Sequence, residues 1–152
     1  MHITDIINNG SPTFSFEFFP PKSERASESL FETIKDLESL APSYVSITYG
    51  AVGTTRERTH DLVEKILEKT KLIPIPHLTC VQHTEEEISN ILKRYSDKGV
   101  SNILALRGDN PKGDKQYDRS KDYFCFARDL VNFIRNFDNS TFDKKSNSFG
   151  IG

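Results

Sequence analysis

Glu17 stands in "TFSFEFFPPK" among Phe14, Phe16, Phe18 and Phe19, directly ahead of Pro20 and Pro21. A carboxyl group drawn partly out of water is disfavoured as the anion, and one kept protonated near neutral pH can act as a general acid. Three later stretches also put polar groups at the ends of apolar runs: Ser46 and Thr48 in "SITYG", His77 and Thr79 in "PHLTC", and Arg107, Gly108 and Asp109 in "LRGD". Each has a plainer reading. A glutamate in an alternating strand more often faces solvent, and a lone histidine is more often a hydrogen-bonded structural residue. Arg107 and Asp109 could simply pair with each other. "RGD" directly after an apolar strand reads better as the start of a rim loop than as an adhesion tripeptide. "GDNPKGDK" has glycines and a lysine but lacks the spacing and the immediate helix of a phosphate-binding loop. His2, His60, His77 and His83 make no recognisable ligand set, so no bound metal is expected.

The elements that must position these residues alternate along the chain. Residues 14–19 read as a strand, with Phe14, Phe16 and Phe18 on one side and Ser15, Glu17 and Phe19 on the other. "ASESLFETIKDLESLA" reads as a helix with Leu30, Ile34, Leu37 and Leu40 on one stripe beside Phe31, and Ser29 with Glu32 offers a capping box. "YVSITYG" is a second strand, and Leu62, Val63, Ile66 and Leu67 mark a second helix. "IPIPHLTC" gives a third strand. "TEEEISNILKRYSDKG" gives a third helix with Thr84 and Glu87 as capping box and Gly99 as its stop. "NILALRGD" is a fourth strand, followed by the loop "GDNPKGDKQYDRS". The helix "KDYFCFARDLVNFIRNF" carries Phe126, Leu130, Ile134 and Phe137 on its apolar face. Residues 1–12 form an N-terminal extension, residues 137–148 a polar flexible loop, and "FGIG" the beginning of a fifth strand.

Strict alternation of strand and helix demands parallel strands with right-handed crossovers, so the class is α/β. In a doubly wound sheet both strand faces would be apolar. Here Glu17, Thr48, His77 and Thr79 fall on polar faces near the C-terminal ends of their strands, where a strand–helix barrel builds its active site. The expectation is a (β/α)8 barrel of the TIM type, with about the first four units and the start of the fifth strand present in one domain over residues 1–152. The exposed edges of such a half-barrel make a second copy the expected partner, hence a homo-oligomer.

Composition narrows the partners. With 20 Lys and Arg against 22 Asp and Glu, the formal charge is −2, which favours neither nucleic acid nor an anionic membrane. No stretch approaches the roughly 18 apolar residues of a membrane span, and "MHITDIINNG" lacks the features of a secretory signal, so a cytoplasmic protein is expected. Cys80 and Cys125 show no paired spacing and read as buried fillers.

"FSFEFFPPK", "YVSITYGA" with "RERTHDLV", "PHLTC" and "ILALRGDNPKGD" occur in an order and spacing that closely resemble the methylenetetrahydrofolate reductase family, from about residue 13 to about residue 136. The resemblance implies an eight-stranded barrel holding FAD. It implies reduction of 5,10-methylenetetrahydrofolate to 5-methyltetrahydrofolate, with NADH or NADPH reducing the flavin in a first half-reaction and the folate taking hydride in a second. Glu17 matches the family's general acid, and Thr48, His77, Arg107, Gly108 and Asp109 match FAD-binding positions. Asp109 is also expected to act electrostatically in catalysis. The alternative is a catalytically incomplete half-barrel that serves as a binding or assembly module. A barrel enzyme with an unrelated substrate ranks below both.

Overall fold

The computed structural model describes residues 1–50, 54–111, 115–141 and 148–152. The middle of the loop after the fourth strand, and residues 142–147 of the polar segment expected over 137–148, therefore lie outside the described residues. The chain forms two compact units, Met1 with Ile3–His77 and His2 with Leu78–Gly152.

The first unit opens with a short helix α1 (Ile3–Ile7), inside the expected extension, that buries Ile3 and Ile6. Strand β1 (Ser15–Phe18), helix α2 (Glu24–Glu38), strand β2 (Tyr44–Ile47), helix α3 (Thr54–Lys69) and strand β3 (Pro74–Thr79) follow. β1 pairs with β2 in parallel, setting Glu17 opposite Ser46 and Phe18 opposite Ile47. β2 pairs with β3 in parallel, setting Ser46 opposite Ile75 and Ile47 opposite Pro76. Side chains alternate across a strand, so Phe18, Ile47 and Pro76 share one face while Glu17 and Ser46 share the other.

Apolar stripes of the helices supply the rest of this core: Phe31 and Ile34 of α2 are buried, as are Leu62, Val63 and Ile66 of α3. The aromatic row on β1 is less enclosed than its alternation predicts. Phe18 is buried, but Phe14 lies ahead of the strand and stays largely exposed, its ring edge against Phe16. Leu40 likewise lies past the end of α2 and is exposed. The cap of α2 is also not the one expected. Ser23 is the N-cap and accepts a hydrogen bond from the Ala26 amide, so Ser29 and Glu32 stand inside the helix. Proline cannot continue a strand ladder, and Pro20–Pro21 hands the chain directly to Ser23.

The second unit contains the end of β3, then α4 (Glu85–Lys98), β4 (Asn102–Leu106), a 3-10 turn (Arg119–Lys121), α5 (Ala127–Thr141) and β5 (Gly150–Ile151). Beyond β3, the Cys80 amide donates to Leu106 O at 3.0 Å. β4 pairs in parallel with β5 through Asn102 opposite Gly150 and Ile103 opposite Ile151. The α/β class with parallel strands is therefore as expected.

Helix α4 has the termini its sequence predicts. The Thr84 hydroxyl accepts from the Glu87 amide at 3.2 Å, the Glu87 carboxylate accepts from the Thr84 amide at 2.8 Å, and Gly99 closes the helix in the left-handed conformation at φ 82°. Its apolar stripe buries Ile88, Leu92 and Tyr95.

Helix α5 departs from expectation at both ends. It begins at Ala127, leaving Phe126 outside it and exposed, and it runs on through Thr141 where a loop from 137 is predicted. Its buried line is Leu130, Ile134 and Asp138. Asp138 is buried because it has a partner: its carboxylate accepts from the Phe149 amide at 3.1 and 3.2 Å, while Arg135 donates to Phe149 O at 2.9 Å. Burial pushes the Asp138 carboxyl up, and the Phe149 amide and Arg135 oppose that shift. The pair anchors the backbone that leads into β5.

Removing the α4 cap has a calculable cost. Thr84→Ala is expected to lower unfolding stability by about 1 kcal/mol, read as a reduced urea midpoint at unchanged slope. No change in midpoint would mean that solvent satisfies those amides equally well.

Candidate active site

In the first unit the polar face gathers around Glu17. Its Oε2 accepts a long hydrogen bond from Ser46 Oγ at 3.5 Å and lies 3.5 Å from His77 Nε2. Parallel register produces the first contact, because a one-residue slip would send Glu17 to the helix-covered face. His77, on β3, is 7% exposed, and its Nε2 is buried with no hydrogen-bond partner among the described residues. The two groups are close enough for charge to act between them, yet not aligned as a hydrogen bond. Burial lowers the affinity of His77 for a proton, and the Glu17 carboxylate partly opposes this. The imidazole is therefore neutral at neutral pH.

Glu17 does not sit in the water-excluded setting expected of it. Its side chain is 50% exposed, because the phenylalanines on either side of it point to the opposite face of β1.

Thr48 follows β2 and is half-buried. Its amide donates to Phe18 O at 2.9 Å, and its carbonyl accepts from the Thr59 hydroxyl at 3.1 Å. Thr59 is fully buried and also accepts from the Gly50 amide at 3.2 Å. One hydroxyl on α3 thus ties down the backbone of Thr48 and Gly50. Helical periodicity alone gives Thr59 no task, since its partners Thr48 and Gly50 lie ahead of α3.

The second unit carries "LRGD". Gly108 adopts φ +80°, and a Cβ there would lie 2.7 Å from Val81 Cγ1 and 2.9 Å from Thr79 Cβ. Both conformation and space require glycine. The Cys80 thiol donates to Arg107 O at 3.3 Å, and burial pushes that thiol's pKa up, so Cys80 is a buried, protonated filler that also holds the loop. The side chains of Arg107 and Asp109 are exposed, and no described residue pairs with either, so they do not neutralise each other. Arg119, which sequence reading passed over, donates through Nη2 to Gly108 O at 3.1 Å and to Asn110 Oδ1 at 2.8 Å. Beside it, burial and a short hydrogen bond to Asp122 push the Tyr117 phenol up to about 12.

In the first unit, the buried His77 nitrogen, without a hydrogen-bond partner among the described residues, and the tethered backbone of Thr48 suit contact with a polar ligand. Residues 2–152 match the sequence profile of the family Methylenetetrahydrofolate reductase. The chain belongs to that family.

Relatives at the family level include 5,10-methylenetetrahydrofolate reductase of Salmonella typhimurium, 40% identical over 126 residues that cover 83% of this chain and 40% of the relative. The enzyme of the same name from Buchnera aphidicola is 43% identical over 121 residues, covering 80% of this chain and 39% of the relative. Methylenetetrahydrofolate reductase (NADH) 1 of Arabidopsis thaliana is 38% identical over 133 residues, covering 88% of this chain and 22% of the relative. The chain thus spans well under half the length of each. Among the described residues, no helix is long and apolar enough to cross a membrane.

The burial of His77 sets a pH dependence that the nearby Glu17 partly offsets. A proton binds the folded imidazole less readily than a free one, whose pKa is 6.5, so below that pH the unfolded chain takes up protons first. Stability therefore falls as pH drops through 6.5 towards the folded value. Ring-carbon NMR is expected to place the His77 midpoint below 6.5, and Glu17→Gln is expected to lower it further by removing the opposing carboxylate. A midpoint unmoved by that substitution would show that the two groups do not interact in solution.

Proposed function

We propose that this chain forms the part of a methylenetetrahydrofolate reductase that holds FAD and meets the folate, as the first four units and the fifth strand's start of a (β/α)8 barrel. The reaction is reduction of 5,10-methylenetetrahydrofolate to 5-methyltetrahydrofolate, with NADH or NADPH as electron donor. The observation that carries the proposal is Glu17 within 3.5 Å of both Ser46 Oγ and His77 Nε2 at the C-terminal ends of three parallel strands. A barrel places its chemistry at those ends.

When bound, FAD stores the electrons of one hydride between the nicotinamide and the folate. From the first unit, Thr48 and His77, the latter a neutral ring able to donate or accept one hydrogen bond, would contact it, and from the second Gly108 and Arg107 would, Arg107 as a cation for phosphate oxygen with no partner among the described residues. Gly108 keeps side-chain bulk off the loop. Glu17 delivers a proton to the folate as the five-membered ring opens to an iminium. The Ser46 hydroxyl donates to the carboxyl at 3.5 Å and orients it. Asp109 has no counter-ion among the described residues, so its negative charge is free to stabilise the iminium.

The roles separate in the two half-reactions. In the flavin-loaded protein, Glu17→Gln is expected to leave flavin reduction by NADH within about twofold of the parent. Stopped-flow absorbance should show folate-dependent reoxidation slowed by roughly two or more orders of magnitude. Equal losses in both would make Glu17 a structural residue and remove it from the chemistry.

A further inference from the structure

We infer that Arg119 is the positioning residue of the turn from Gly108 to Asn110, and that through this turn it sets where the Asp109 carboxylate stands. The inference rests on the reading of Asp109 given above. The Arg119 guanidinium spends its bonds on that turn. Nη2 donates to Gly108 O at 3.1 Å and to Asn110 Oδ1 at 2.8 Å, and Nε donates to Asn110 Oδ1 at 3.3 Å. The acceptors lie one residue to either side of Asp109. A rigid planar fork therefore spans Asp109 without bonding it, which a flexible lysine ammonium cannot reproduce.

Two observations separate this role from charge neutralisation. No described carboxylate forms an ion pair with Arg119, and its Nη1 is buried with no hydrogen-bond partner among the described residues. An arginine kept for its charge would be expected to meet an acid. Among the described residues this one donates only to neutral oxygens and does not pair with the neighbouring acid.

The backbone of Arg119 is itself anchored. Asp118 accepts from the Ser120 amide at 3.1 Å and from its hydroxyl at 2.6 Å, and the Cys125 thiol donates to Arg119 O at 3.5 Å. The Tyr117 ring lies 6.0 Å from the guanidinium carbon. The turn needs such a clamp, since its left-handed Gly108 is the residue with the most freedom to lose. Cys80 holds one side of it through Arg107 O, and Arg119 holds the other.

The test has one arm without flavin and one with it. Hydrogen exchange on the full chain is expected to quicken by about tenfold or more at the 108–110 amides in Arg119→Ala, with the β4 amides unchanged. Asn110→Ala, at an exposed position, is expected to act in the same direction while leaving the fold intact. Arg119→Lys is expected to behave like Arg119→Ala.

In the FAD-loaded protein, Asp109→Asn removes a negative charge and should raise the flavin midpoint potential. In the Arg119→Ala background the same change should move the potential by about half as much or less. A turn whose exchange is unaltered in both Arg119→Ala and Asn110→Ala overturns the inference, as does a full-sized Asp109→Asn shift in the Arg119→Ala background. Quickened exchange throughout β4 in Asn110→Ala also overturns it, by showing a general structural role. If the parent chain binds no FAD, the functional reading fails and the exchange arm alone decides the role of Arg119.

Discussion

Three parallel strands in fixed register hold the first unit's chemistry in place. With Glu17 opposite Ser46 and Phe18 opposite Ile47, the apolar residues of β1 and β2 face the helices, and every second residue is left for polar work. The arrangement is all or nothing. Sliding β1 by one position would bury a carboxylate against Ile47 and expose a phenylalanine, so the hydrophobic core that stabilises the unit is also what aims the acid. His77 joins the same cluster from β3, where burial keeps its ring neutral and Nε2 has no hydrogen-bond partner among the described residues.

The second unit solves a different problem. A loop that presents charged side chains to a ligand must not fold back on itself and pair them internally. Here the backbone does the holding: Gly108 packs where no Cβ would fit, the Cys80 thiol takes Arg107 O, and Arg119 takes Gly108 O. Arg107 and Asp109, two residues apart in sequence, are then exposed, and no described residue pairs with either. The same economy appears where Asp138 and Arg135 secure the Phe149 backbone at the entry to β5.

What could be read from the sequence was what depends on near neighbours. Thr84, Glu87 and Gly99 mark the ends of α4 because capping is decided within a few residues, and the side of β1 on which Glu17 falls follows from alternation alone. The serine and glutamate at 29 and 32 misled because the same spacing occurs inside a helix. Where α2 begins is decided instead by how the chain leaves Pro21. Asp138 escaped notice because an acid on an apolar stripe looks like the end of the helix until its partner, the Phe149 amide, is in view. Arg119 escaped because its value lies in two acceptors nine and eleven residues away across a loop. The exposure of Glu17 was equally out of reach, since alternation fixes a side chain's face and not what covers that face.

The function proposed for this family member requires that it bind a flavin. Titrating the purified chain with FAD, followed by visible absorbance and flavin fluorescence, tests this most directly. A saturable perturbation of the isoalloxazine spectrum at one flavin per chain is the result predicted. A spectrum that stays that of free FAD across the whole titration, with the protein folded by circular dichroism, would contradict it.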